Sequence, residues 1–227
     1  MIRGVIFDKD GVMIDTERLF QSLWCEIMRD MGQEEHREAV TYCIGLNHQA
    51  IKEYLDREFQ DGFDYWSVLR EVDKRTKAIF ASEGIPVKTG LYPLLDGLDS
   101  AGIPWAVATS SHRETTLFQL ERIGVLDRAG ALVTGDMVAR GKPDPDIFLQ
   151  AAKALSLPPE ECLVLEDSPH GILAASLAGC LPVMIPDLKE PDAETEKLLF
   201  ARLPSLDQVM PLLRAQGAVS SGLAFPQ

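Results

Sequence analysis

The chain has 227 residues, 46% of them hydrophobic, and a formal net charge of −13 from 35 acidic and 22 basic side chains. That length allows one large domain, or a core domain with a smaller one, and no apolar run reaches the roughly 18–20 residues that span a bilayer. The acidic balance disfavours nonspecific nucleic-acid binding, which depends on Lys and Arg neutralising phosphates, so an anionic small substrate needs local positive charge from a metal or a placed lysine.

The first predicted element is a strand over residues 2–7 that ends abruptly in Asp8-Lys9-Asp10-Gly11. It begins almost at Met1, and its acids interrupt the apolar run, so no signal peptide and a cytoplasmic protein are expected. Helical spacing follows over 16–31 (Leu19, Phe20, Leu23, Trp24, Ile27, Met28 and Met31), with Gly32 as its stop. Further helices are predicted over about 35–43, 48–58 and 64–83, ending at the breaker cluster Gly84-Ile85-Pro86. A helix over 91–101 is closed by Gly102. The pattern then alternates. A strand over 104–108 ends at Thr109-Ser110-Ser111, and a helix over 113–123 is stopped by Gly124. A strand over 131–134 precedes a helix from Pro145 to about Leu155. A strand over 162–165 ends in Glu166-Asp167, a helix covers 169–178, and a last strand covers 181–185. The tail from Gln216 is small and weakly patterned, a candidate for disorder.

Alternating strands and helices predict an α/β fold: a Rossmann-like parallel sheet core with helices on both faces. The all-helical stretch interrupts it directly after the first strand, so it reads as an inserted domain. The expected division is a discontinuous core of 1–15 and 89–227 with a helical domain of 16–88, the crossings lying near 12–16 and 84–90. Cys25, Cys43, Cys162 and Cys180 form no C-x-x-C pair and have no histidine at zinc-ligand spacing, so buried free thiols are expected. Trp24, Trp66 and Trp105 read as packing residues.

Open α/β sheets place ligands at the carboxyl ends of strands. Four polar features fall there: Asp8 with Asp10, Thr109 with Ser110, Glu166 with Asp167, and the loop Gly141-Lys142-Pro143. Crowded acids repel, and a hard divalent cation resolves this. Mg²⁺ takes oxygen ligands, typically one or two carboxylates together with substrate phosphate, so the cluster predicts Mg²⁺ and a phosphorylated substrate. Lys142 supplies a point charge for phosphate, Thr109 a hydroxyl, and Ser110 a main-chain N–H at a strand-to-helix turn, where anions bind well. One carboxylate can serve as nucleophile, giving an acyl phosphate. The second, two residues on, can protonate the leaving oxygen and then activate water.

The stretch Asp8-Lys9-Asp10-Gly11-Val12-Met13-Ile14-Asp15-Thr16 resembles the first motif of the haloacid-dehalogenase-like superfamily. Thr109-Ser110-Ser111 resembles its second motif, Gly141-Lys142-Pro143-Asp144-Pro145 its third, and Leu165-Glu166-Asp167-Ser168-Pro169-His170-Gly171 its fourth, all in the family's order. The helical insert is similar to the cap of the branch containing β-phosphoglucomutase and phosphoglycolate phosphatase. The resemblance implies Asp8 as nucleophile and metal ligand, and Asp10 as general acid/base with its main-chain carbonyl on the metal. It implies phosphate binding by Thr109, Ser110 and Lys142, and Mg²⁺ binding by Asp167 directly and by Glu166 directly or through water. It further implies a small phosphorylated metabolite as substrate. From composition, no nucleic-acid or membrane partner is expected, and the chain is expected to be a monomer or small homo-oligomer.

Two departures stand out. Lys9 occupies a place where the family usually has an apolar or other neutral residue; its side chain is expected to point away from the ligand while altering local charge. Phe20 and His48 stand where β-phosphoglucomutases carry a cap histidine and arginine, which favours a phosphatase over a phosphotransferase of that type. A non-catalytic metal-binding regulator is the remaining alternative, and retention of Asp8, Asp10, Lys142 and Asp167 argues against it. Phe20, Asn47 and His48 in the cap, and Ser111 and His112 beside the second motif, are the candidates for substrate specificity. His170 reads as a stabiliser of the Asp167 loop, and Glu17 with Arg18 as a solvated helix start.

Overall fold

A computed structural model describes residues 1–30, 37–43, 46, 48–59 and 64–219, without the side chains of Glu17, Arg37, Thr41 and Phe59. Met31, Gly32, Gly45, Asn47 and the tail beyond Val219 therefore lie outside the described residues.

Six strands form one parallel sheet: β1 (Gly4–Phe7), β2 (Trp105–Thr109), β3 (Ala131–Thr134), β4 (Cys162–Glu166), β5 (Leu181–Met184) and β6 (Ala201–Arg202). Their spatial order is β3-β2-β1-β4-β5-β6. The central strands β1, β2 and β4 are buried on both faces, which is why they read as near-continuous apolar runs. Alternation still divides their side chains. Val5, Phe7, Trp105, Val107, Leu163 and Leu165 face a cluster built with α5 (Leu91–Ala101) and α10 (Val209–Ala215). Ile6, Ala106, Ala108 and Val164 face α7 (Asp146–Ala154) and α8 (Pro169–Leu177) on the other side. The order turns outward in both directions from β1, with β2 and β4 as its neighbours. This opens a crevice at the strands' carboxyl ends, where Asp8 follows β1.

Among the described residues, four helices occupy the stretch after β1: α1 (Glu17–Asp30), α2 (Arg37–Tyr42), α3 (His48–Phe59) and α4 (Tyr65–Glu83). They pack on one another around Trp24, Ile27, Met28, Cys43, Leu55, Tyr65, Val68 and Val72. Asp64 caps α4, its side chain accepting from the Ser67 N–H. The chain leaves and re-enters the sheet along two paired segments. Ile14 and Val87 form an antiparallel bridge, and the Lys88 N–H donates to the Met13 carbonyl at 3.0 Å. The Lys88 ammonium also lies 3.2 Å from Asp15 and 3.0 Å from Asp187.

Several sequence expectations need correction. Trp66 is 42% exposed and touches Tyr65 edge-on, so it is a surface residue rather than a packing one. Arg18 stays exposed, as expected, and its guanidinium reaches Asp187 at 3.5 Å. The tail does not lose order at Gln216: Val219 is buried in the core cluster with α10. After β5, α9 (Ala193–Glu196), β6 and α10 were not predicted, because elements this short carry too few residues for a periodic signal. The four cysteines are buried and free. Among the described residues, no helix is long and apolar enough to cross a membrane.

Leu163 is fully buried in a central strand. Leu163→Ala should lower unfolding stability by about 2–5 kcal/mol, read from the urea midpoint at constant slope.

Candidate active site

The site is assembled at the ends of β1, β2 and β4. Gly11 makes the first turn possible. Its φ is +80°, and a Cβ there would lie 2.2 Å from the Asp167 carboxylate. Glycine thus lets the loop after β1 close against the loop after β4. Gly171 does the same for Glu166, whose carboxylate would meet a Cβ at 1.8 Å.

Asp8 and Lys142 are both buried, and the ammonium donates to Asp8 Oδ1 at 2.5 Å. Lys142 also donates to Glu166 Oε1 at 2.5 Å. The other oxygen of Glu166 accepts from the Asp167 N–H, the Ser168 N–H and the Ser168 hydroxyl, each at 2.9 Å. Glu166 thereby anchors the turn into α8, where Ser168 is the cap residue and accepts from the Gly171 N–H at 3.1 Å. Burial, moderated by Lys142 and reinforced by the Glu166 and Asp10 charges, raises Asp8 from 3.8 to about 7. Lys142 stays charged because Asp8 and Glu166 hold its proton against the effect of burial.

Asp10 has the opposite environment. Lys9 Nζ lies 3.0 Å from both its oxygens. The hydroxyls of Ser111, Thr16 and Thr109 donate to it at 2.8, 3.2 and 3.4 Å. Although burial pushes it up, Lys9 and these donors hold Asp10 below the usual carboxylate range. The Ser111 N–H in turn donates to the Thr109 hydroxyl at 3.1 Å, which fixes the loop after β2.

The carboxylates face a cavity of about 220 Å³ whose wall includes Asp8, Asp10, Asp167, Thr109, Ser110, Ser111 and His112. Helices α1, α3 and α4 complete it with Phe20, His48 and Tyr65, among others. All four specificity candidates in the described residues, Phe20, His48, Ser111 and His112, therefore line one cavity. His48 Nδ1 is 2.7 Å from the Tyr65 hydroxyl, and its ring stacks on His112 at a centroid distance of 5.0 Å. Burial and His112 push His48 below its ordinary value. Lys142 and Glu166 stand behind the wall, joined to it through Asp8. His170 extends beyond the Asp167 loop: its ring meets Tyr42 of α2 edge-on at 5.4 Å.

Sequence reasoning missed Gln119 and Tyr65. Gln119, on α6 (Arg113–Arg122), is buried and accepts from Lys9. Nothing local marks either residue, since each matters only through a contact made across the fold.

The donor set suits a divalent cation. Four carboxylates (Asp8, Asp10, Glu166 and Asp167) share the site with two ammonium groups, Lys9 and Lys142, leaving an excess of two negative charges. Among the described residues, no group of three or more acidic, histidine or cysteine side chains is arranged to hold a metal ion by itself. Mg²⁺ requires less, because it keeps waters and takes one or two carboxylates with substrate oxygens.

An α/β sheet with acids at the ends of two central strands, and a lysine between them, defines a strand-end hydrolase site. The chain belongs to the haloacid dehalogenase-like hydrolase family, whose model matches residues 2–179. It is 32% identical over 219 residues to hexitol phosphatase A of Escherichia coli, covering 92% of this chain and 98% of that one. It is 30% identical to the fructose-1-phosphate phosphatase YqaB of the same organism, covering 78% of this chain and 92% of that one. Among solved structures, CbbY from Rhodobacter sphaeroides, in complex with phosphate, superposes with a TM-score of 0.74 at 28% identity. That match covers 92% of this chain and 96% of CbbY.

The buried Asp8 carboxyl gives a pH test. Between about pH 4 and 7 the folded chain holds a proton on Asp8 that the unfolded chain has released, so Asp8 subtracts stability as pH rises through that window. In metal-free protein, Asp8→Asn should raise Tm at pH 7.5 by more than at pH 4.5. Parallel Tm-versus-pH curves for the two proteins would contradict this.

Proposed function

We propose that this chain is a Mg²⁺-dependent phosphatase for a small phosphorylated metabolite of the sugar-phosphate class, acting through an aspartyl phosphate on Asp8. The observation that carries the reading is the contrast between two acids two residues apart. Asp8 is held by Lys142 at the cavity wall, while Asp10 is held separately by Lys9 and three hydroxyls. Paired carboxylates with different environments are what a nucleophile and a general acid/base need. The sugar-phosphate class follows the activities for which the two phosphatase relatives are named.

In this reading, Lys142, the Thr109 hydroxyl and the Ser110 N–H hold the phosphoryl oxygens. Asp8, Asp167 and the Asp10 main-chain carbonyl would hold Mg²⁺, with Glu166 acting on it directly or through water. The bound ion would supply charge neutralisation, letting an anionic ester approach an anionic carboxylate. An Asp8 oxygen attacks phosphorus, the ester oxygen leaves, and Asp10 gives that oxygen its proton. A phosphate dianion beside Asp10 raises its proton affinity, offsetting the depression set by Lys9. Ionised again, Asp10 takes a proton from water, whose oxygen attacks phosphorus and releases Asp8.

Residues 16–88 act in this proposal as a cap over a core of 1–15 and 89–227. The laced segments around Ile14 and Val87 are its hinge, and His48 against His112 is part of its closing contact. Phe20 gives this wall no acid–base group, which supports water as acceptor over a second sugar hydroxyl. This reading expects a cytoplasmic enzyme that is a monomer or small homo-oligomer.

Phosphate release from a panel of hexitol and sugar phosphates is the test. Wild type with Mg²⁺ should be active, EDTA should inhibit it reversibly, and Asp8→Asn should fall to background. Full activity in Asp8→Asn would overturn the mechanism, and conversion of a hexose 1-phosphate into the 6-phosphate would overturn the choice of acceptor.

A further inference from the structure

Lys9 has a place that a lysine rarely takes. It lies between the two acids of the loop after β1 and is fully buried. Its ammonium is inserted beneath the site, with Asp10 on one side and Gln119 of α6 on the other. Removing an ammonium from water costs several kcal/mol that partners must offset. An apolar side chain would fill the position without that cost. The ion pair is therefore poorly explained as a device for stability, and its position suggests another use.

The geometry around Asp10 supplies one. Lys9 Nζ is 3.0 Å from both carboxylate oxygens, so it fixes the group as a whole and not one atom of it. Thr109 at the end of β2 and Ser111 in the loop after it approach one oxygen, and Thr16 approaches the other from the start of the helical stretch. These hydroxyls are neutral and can rotate their protons toward other acceptors, although Thr16 and Thr109 are as buried as Lys9. The lysine cannot turn to solvent, because it is enclosed and because Gln119 accepts from it. It is the fixed point of the arrangement.

We propose that Lys9 is a positioning residue for the reaction: with Gln119 it fixes the Asp10 carboxylate where it can exchange a proton with the ester oxygen. The role rests on the reading of Asp10 as general acid/base. Lys9 touches neither substrate nor phosphoryl group, and it acts through Asp10. Gln119 supplies the second acceptor that orients the ammonium, so a contact 110 residues away in sequence helps set the place of the acid.

Two esters separate this role from a structural one. An alkyl phosphate such as mannitol 1-phosphate needs its leaving oxygen protonated, whereas p-nitrophenolate departs without a proton. Both share every step of phosphoryl binding and attack, and kcat/KM reports events up to departure of the alcohol. Lys9→Met keeps side-chain length and removes the charge. It should lower kcat/KM for mannitol 1-phosphate about tenfold or more, and change that for p-nitrophenyl phosphate by less than about twofold. Gln119→Leu should give the same split with a smaller loss, and serves if Lys9→Met does not fold. In an Asp10→Asn background, Lys9→Met should add no further loss on the alkyl ester. An equal fall on both esters, or no change on either, would overturn the role, as would a full additional loss in the Asp10→Asn background. A wild type that hydrolyses neither ester overturns the phosphatase reading, and the role with it.

Discussion

Charge pairing in a nearly dry pocket is the constraint on which the rest of this structure depends. Buried charges are tolerated only when partnered, and here the partners come from different parts of the chain. Lys142, from the loop before α7, joins Asp8 after β1 to Glu166 at the end of β4. Lys9 and three hydroxyls collect around Asp10. The links through Lys142, Ser111 and Thr109 tie one strand end to another, so the cluster that does the proposed chemistry also fixes the rim of the sheet. Counted as fully ionised, the four acids outnumber the two ammonium groups by two, a deficit that the proposed divalent cation would offset.

The sheet makes such a cluster affordable. With β1 at the centre and its neighbours β2 and β4 running parallel, the ends of the three strands stop at one level, above a core with almost no exposure. Rigid strands bring the Asp8, Thr109 and Asp167 loops to one point without long flexible connections. Gly11 then removes the side-chain atom that would keep the loop after β1 from the Asp167 loop, and Gly171 the one that would collide with Glu166. The apolar core and the polar rim are two ends of the same strands.

The helices α1–α4 meet this rim at points that chemistry can use. His48 stacks on His112 beside the cavity, Tyr42 touches His170 next to the Asp167 loop, and Lys88 spans the two crossing segments through Asp15 and Asp187. Thr16, at the start of this stretch, donates directly to Asp10. The start of the helical stretch is therefore tied to the proposed acid by a side-chain hydrogen bond.

By itself the sequence determined what depends on neighbours along the chain. Strands such as 162–165 were legible because a buried parallel strand must be continuously apolar, and the acids after them because a charge cannot continue such a run. The four motifs, in order, marked Asp8, Asp10, Thr109, Ser110, Lys142, Glu166 and Asp167, and the structure gathers these residues at one end of the sheet. Tertiary structure alone decided the rest. Lys9 carries no local sign that it turns inward to Gln119, Trp66 none that it faces solvent, and β6 is too short to have a period. Glu166 could be named an acid from its position, but its hold on Lys142 could not. Local pattern reports which side chains avoid water, whereas the partner of a buried charge is chosen by distance in space, between residues as far apart as Asp8 and Lys142.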